Sequence, residues 1–208
     1  ISLQPFDRQI YGSSGDSVMA GNFINLAKSR SPDCTYYIYE RWPRKPDDQP
    51  HTADVWAQLY DRTYTGGWDG SNESRDFNEK LVEVLRRAYT DIKPVLMVPI
   101  GDVMYALNTM MKNGQISGYS SAWDLYKDGI HLTGVGGYIA GVTFCATVYG
   151  EDPRGMAVPS EYGTISTSLT STIQEVAWQV ITSNEYTGVG SVGIAPEAVM
   201  VHATQTHS

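Results

Sequence analysis

Asp128 and His131 stand three residues apart in Trp123-Asp124-Leu125-Tyr126-Lys127-Asp128-Gly129-Ile130-His131-Leu132-Thr133-Gly134, just ahead of a helix-like segment. An imidazole that works as a general base must be held in one tautomer and one direction. A carboxylate accepting its second N–H does both, and it stabilises the imidazolium that forms. Asp-x-x-His on a tight turn supplies the two groups locally. A bare Asp-x-x-His also occurs as a loop aspartate beside a helix-capping histidine, so the surroundings must decide. Ser17, in Gly15-Asp16-Ser17-Val18, is the candidate nucleophile. A serine at the first turn of a helix meets the positive end of the dipole, and the free N–H groups around residues 15 to 18 can hold an oxyanion. Asp16 is equally well explained as an N-cap with Ser17 merely the first helical residue. Ser13, Ser14, or no nucleophile in this chain remain the alternatives. Trp42 and Arg41 at a strand end, Trp68 in a Gly-rich loop and Trp123 beside the dyad are suited to lining a cleft for a sugar or an aryl ester. Core or rim packing explains aromatic residues at such places as well. Asp7 and Asp102, also at strand ends, are candidates for pairing with His131 or Arg41, with capping and surface roles as the plainer explanation. His51, His202 and His207 do not combine with a second ligand at zinc-like spacing, so no metal is predicted. No phosphate-binding loop is present, which removes nucleotides, and no cofactor is expected.

The elements that must position these residues read as a layered α/β domain with a mostly parallel sheet, because apolar runs of strand length alternate with segments of helical period. Strands are predicted at 1–6, at 35–41 before Pro43 and Pro46, and at 94–99, where a continuous apolar run has the pattern of a buried parallel strand. Helices are predicted from Asp16 to about residue 29, with Asp16 as cap, over 54–60, and around Phe77, Leu81, Val84, Leu85 and Ala88. After the strand ending at Pro99, Gly101 and Asp102 are expected in a loop, where doubly wound folds place ligand contacts. A helix follows the dyad, and Ser171-Thr172-Ile173-Gln174 fits a capping box opening a final one. A domain over 1–188 and a loosely ordered tail over 189–208 are expected.

Composition bounds the function. The chain has 208 residues and a net charge of −8 with its Lys and Arg scattered, which speaks against a nucleic-acid surface. No run reaches the roughly 18 apolar residues of a membrane span, so no membrane partner is expected. Cys34 and Cys145 fit neither a disulfide framework nor a metal site, and two buried thiols are expected. Abundant Tyr, Ser, Thr and Gly with few Lys lean towards a secreted or periplasmic protein.

The dyad segment resembles the last sequence block of the SGNH, or GDSL-like, hydrolases, in which Asp-x-x-His supplies two members of a Ser-His-Asp triad. The likeness continues into Gly136-Gly137-Tyr138-Ile139-Ala140-Gly141-Val142-Thr143-Phe144, similar to the small-residue helix that follows this block; Gly137 and Gly141 share a face and would let a neighbouring backbone approach. Leu3-Gln4-Pro5-Phe6-Asp7 lies where that family has a strand ending in Gly-x-Asn-Asp, Tyr39-Glu40-Arg41-Trp42-Pro43-Arg44 looks like the strand after it, and Val98-Pro99-Ile100-Gly101-Asp102-Val103 resembles the strand before the dyad. Gly15-Asp16-Ser17 spells the first three letters of GDSL. The family places its nucleophile and an oxyanion glycine before the Gly-x-Asn-Asp strand, and here Phe6 stands at the usual oxyanion Asn, with Gln4 as the nearest amide. The resemblance implies an SGNH/flavodoxin-like three-layer sandwich, possessing or lacking the usual first strand. It also implies a serine ester hydrolase for acyl or aryl esters, among them acetylated or feruloylated carbohydrates. Asp128 and His131 would be the dyad, Ser17 the nucleophile, and Gln4, Gly15, Trp42 and Trp123 would bind oxyanion and substrate. The competing expectation is a non-catalytic copy of the same fold whose open sheet edge pairs with another chain, for instance as a homodimer.

Overall fold

Alternate residues of the central strands face opposite ways, and both faces are apolar. Tyr36 and Ile38 belong to one buried cluster and Tyr37 to another, just as Val95 and Met97 oppose Val98. Strands buried on both faces are those of a parallel sheet covered by helices. The computed structural model, which describes residues 1–6 and 8–190, has that arrangement. Strands β1 (Ser2–Leu3), β2 (Tyr37–Tyr39) and β3 (Leu96–Val98) pair in parallel in the order β1-β2-β3, with Ser2 opposite Tyr37 and Tyr37 opposite Leu96. One outer layer holds α1 (Asp16–Lys28) and α3 (Arg75–Ala88), whose Ile24, Phe77, Leu81 and Leu85 share a core with Ile38 and Met97. The other holds α2 (Ala53–Tyr60), α4 (Ile100–Lys112), α5 (Gly134–Tyr149) and α6 (Thr167–Ser183) around Trp56, Met104, Leu107, Ile139 and Ile173. The fold is therefore a three-layer α/β sandwich with a short parallel sheet.

Four local expectations are corrected. Gly101 and Asp102 lie inside α4, not in a loop. Gly101 is there because a Cβ would come within 2.5 Å of the Tyr60 ring and 2.6 Å of the Arg41 carbonyl, so the glycine lets α4 close on the end of β2. The final helix opens at Ser166, whose Oγ accepts from the Leu169 N–H, and residue 171 is already within it. The N-cap of α1 is Gly15; Asp16 instead turns its carboxylate back to the N–H groups of Phe6 and Arg8, at 3.2 and 3.1 Å. Cys145 is exposed and Cys34 half-buried, both free, so neither is a core thiol.

The two sheet edges differ. Along β3 the Met97 N–H donates to the Tyr186 carbonyl at 2.8 Å, and the chain beyond α6 covers that edge. Beside β1 a groove of about 540 Å³ runs past Ile1, Leu3, Met19 and Phe23. Ile1 and Phe23 are 48% and 59% exposed. Among the described residues no helix is long and apolar enough to cross a membrane. The expected tail falls outside the described residues from 191 onward, as do His202 and His207.

Candidate functional site

The dyad sits on a hairpin-like turn closed by its own backbone. Tyr126 and Leu132 form an antiparallel bridge, Lys127 N–H donates to the His131 carbonyl at 2.8 Å, and Thr133 N–H donates to that of Leu125 at 2.8 Å. Thr133 then caps α5, its Oγ1 accepting from the Gly136 N–H. The turn is tied to the end of β2 as well. Trp42 Nε1 donates to the Ile130 carbonyl at 2.9 Å, and Lys45 N–H to that of Gly129 at 2.8 Å. Tyr126 donates its hydroxyl proton to Pro43 and accepts from the Trp56 indole, anchoring the hairpin in the core.

Within this turn Asp128 Oδ1 accepts from the N–H groups of Ile130 and His131 at 2.9 and 2.8 Å, and Oδ2 faces His131 Nδ1 at 2.9 Å. The two backbone donors, and after them the imidazole, hold the Asp128 carboxyl well below the usual carboxylate range. Nδ1 therefore carries the proton that Asp128 accepts, and Nε2 is left as the acceptor of the ring. His131 is 77% exposed at its side chain and borders a cleft of about 1110 Å³. Trp42, Tyr39, Phe144 and Tyr162 form much of the cleft wall, and Gln4 and Phe6 close it at the end of β1. The Tyr39 ring meets Trp42 edge-on and Phe144 at a tilt, both with centroids 6.4 Å apart.

The structure brings His131, Gln4 and Trp42 together at this cleft, with Asp128 joined to it through His131, and leaves Ser17, Gly15 and Trp123 out of its lining. Ser17 Oγ donates to the Ile10 carbonyl at 2.5 Å. The amides expected to form an oxyanion pocket are spent as well: those of Asp16, Ser17 and Val18 donate to Gln9, Ile10 and Gly15. Gly15 serves the tight turn, since a Cβ there would lie 2.5 Å from the Ile10 carbonyl. Trp123 is 2% exposed, donates to the Thr52 carbonyl and packs on Tyr126 and Trp56, so it supports the hairpin from behind and does not line the cleft. Ser13, Ser14 and Trp68 line a separate depression. Asp102 belongs to a partly buried polar cluster with Glu40, Tyr60 and Arg75 and does not line the cleft; Asp7 lies outside the described residues. Among the described residues no serine or threonine lines the cleft, and no group of three or more His, Cys, Asp or Glu is placed to hold a metal. Cys145 does line it, but eleven helical residues beyond Gly134, about 16 Å along α5 from the end that follows the dyad.

Tyr39, Phe144 and Tyr162 were missed as site residues, although Tyr39 stands on the predicted strand that leads to Trp42. Phe144 had a signal, because 137, 141 and 144 fall on one helical face at i, i+4 and i+7. Tyr162 comes from an irregular segment and had none. It also corrects the expected use of Gly137 and Gly141: what approaches them is the Tyr162 ring, whereas backbone approaches Gly134, where a Cβ would collide with the Tyr162 carbonyl, and Gly136, where it would lie 2.7 Å from that of Leu125. Gly134→Ala is accordingly expected to cost about 1–3 kcal/mol, read as a lowered urea midpoint; an unchanged midpoint would show that the 160–162 segment yields freely.

No family model matches the chain, and no curated protein matches it. Among solved structures, a crystal structure of a DUF4886 family protein from Bacteroides uniformis is similar, with a TM-score of 0.53 and 15% sequence identity over 87% of this chain and 61% of that one. The chain thus spans about three-fifths of the length of that neighbour, and at this identity the likeness supports the shared α/β fold alone.

Proposed function

We propose that the chain is a carboxylic ester hydrolase similar to the SGNH hydrolases, with His131 as general base and Asp128 as its orienter. The observation that carries this reading is the pairing of His131 Nδ1 with a carboxylate fixed by two backbone N–H groups, which leaves Nε2 as acceptor beside an aromatic-walled cleft. His131 takes the proton of the attacking hydroxyl and returns it to the leaving alcohol. Trp42, Tyr39 and Phe144 favour an acyl or aryl ester, including one carried by a carbohydrate. Gln4 is the side-chain amide nearest to hand for an oxyanion.

The test is hydrolysis of p-nitrophenyl acetate and butyrate by the purified chain beside His131→Ala and Ser17→Ala. Hydrolysis is expected to vanish with His131→Ala and to persist with Ser17→Ala, because the Ser17 hydroxyl and the amides around it are engaged by residues 9–15. Loss in both variants would return the nucleophile to Ser17. Wild-type rates no higher than those of His131→Ala would sink the esterase reading.

The open edge of β1 favours a second reading, in which the chain pairs with another strand-bearing chain, as a homodimer or with a partner that brings the attacking hydroxyl. The edge is flanked by exposed Ile1, Phe23 and Phe6, and it leads to Gln4 and Phe6 at the cleft. Unpaired strand edges invite such pairing. Sedimentation as a compact monomer would count against the homodimer.

A further inference from the structure

We propose that the loops at 8–15 and 65–71 form a binding ledge for a neutral glycan chain, built on Tyr11 and Trp68. The two rings are 65% and 72% exposed and line one depression of about 310 Å³. Between them lie Arg8, Gln9, Ser13 and Ser14, along with glycine backbone and no aliphatic side chain. A fatty or aliphatic ligand finds no match there. A pyranose does: its flat C–H faces suit the negative face of an aromatic ring, and its hydroxyl rim suits hydroxyl, amide and backbone partners.

Charge selects further. The cation at this depression is Arg8, and its guanidinium lies 3.4 Å from the buried Asp16 carboxylate and 4.8 Å over the Phe6 ring. The site carries little net charge, so it fits a neutral sugar better than an acidic one.

Both loops are braced. Asp69 accepts from the Ser71 N–H and hydroxyl at 3.0 and 2.6 Å and from Thr65 Oγ1 at 2.9 Å, while Arg62 donates to the Asp69 carbonyl. Gln9 Nε2 donates across to the Gly66 carbonyl, tying the two loops together. The exposed indole thus stands on a fixed platform, and little ordering remains to oppose binding. Phe6, which lines the His131 cleft, packs under the Arg8 guanidinium, which lines the ledge, so these two side chains link the two depressions. The ledge deepens the carbohydrate-ester reading, and its binding does not require turnover.

The test is native gel retardation of the 208-residue chain carrying His131→Ala in arabinoxylan, glucomannan, mixed-linkage β-glucan and hydroxyethylcellulose, with polygalacturonate as the acidic control. Retardation by at least one neutral polysaccharide is expected, weakened tenfold or more by Trp68→Ala or Tyr11→Ala and only partly by Trp68→Phe. These side chains are on the surface, and circular dichroism checks that the variants fold. No retardation by any neutral polysaccharide, retardation by polygalacturonate alone, or wild-type retardation in Trp68→Ala would each overturn the proposal, the last pointing to a protein or other partner for the ledge. Retardation without esterase activity in the wild type would remove the hydrolase reading alone, and activity without retardation would remove the ledge alone.

Discussion

Asp128→Asn is expected to lower kcat/KM for p-nitrophenyl acetate by roughly 10⁴-fold while leaving the turn folded. The reason is tautomeric. Asp128 Oδ1 accepts the Ile130 and His131 N–H groups, and an asparagine oxygen there keeps both bonds. Its NH₂ then replaces Oδ2, the atom 2.9 Å from Nδ1. Two donors cannot share that contact, so Nδ1 becomes the acceptor and the ring proton moves to Nε2, where no base remains to take a proton from the attacking group. The measurement is a pair of numbers, kcat/KM and the thermal midpoint. A rate that falls with an unchanged midpoint supports the tautomeric account. A rate within tenfold of wild type would mean that Asp128 does not orient a catalytic imidazole. A fall in both would assign it to holding the turn.

The dyad was readable because its parts are local. Asp128, Gly129 and His131 are close in sequence, and the turn that joins them needs no distant partner to be recognised. The helix behind it was legible for the same reason. What the sequence hid was every choice made at long range. Pro99, Gly101 and Asp102 look like loop residues, yet Val103, Met104, Leu107 and Met111 on the same stretch bury into the core and impose a helix, with Gly101 kept for close packing. Ser166 beat the better-looking cap at Ser171 because Ile165 and Leu169 pack on the core ahead of it. Ser17 carried a suggestive tripeptide, but its environment is set by Ile10, seven residues back and across a turn that no periodicity announces. Trp42 and Trp123 are the same residue type, and each was a candidate for lining the cleft. One reached the cleft and the other the core, a difference decided by which backbone carbonyl each indole could find, that of Ile130 or that of Thr52.

The same long-range logic gives the largest stability effect expected for a surface-reaching side chain. Arg75, 30% exposed at its side chain, donates to Asp102 and Asp61 at 2.6 Å each and lies 4.7 Å over both the Tyr60 and Tyr105 rings. Tyr60 donates to Glu40 at 2.7 Å and stands 3.0 Å from Asp102, and the Asp102 N–H donates to the second Glu40 oxygen at 3.2 Å. Burial, and after it the charge of Asp102, pushes the Glu40 carboxyl well above its ordinary value of 4.5, with Arg75 pulling the other way. A protonated Glu40 can donate to Tyr60, which donates to Asp102, which accepts from Arg75, so the cluster is satisfied with one proton on it. Because the folded chain holds that proton more tightly than the unfolded one, stability is fully present below pH 4.5 and declines as pH rises through the raised value. Arg75→Met keeps a stem on the two rings and removes the cation, and should cost about 3 kcal/mol near neutral pH, the lower end for a broken buried pair. In a chain of this length that corresponds to a thermal midpoint lower by roughly 9 °C. The loss should shrink as pH falls, because a proton on the raised Glu40 carboxyl removes a charge that Arg75 balances, and should be partly relieved by adding Glu40→Gln. Urea unfolding of the wild type and both variants at pH 5 and 7.5 measures it. A loss that Glu40→Gln does not relieve at either pH would assign the whole effect to packing on Tyr60 and Tyr105 and would rule out electrostatic coupling between Arg75 and Glu40.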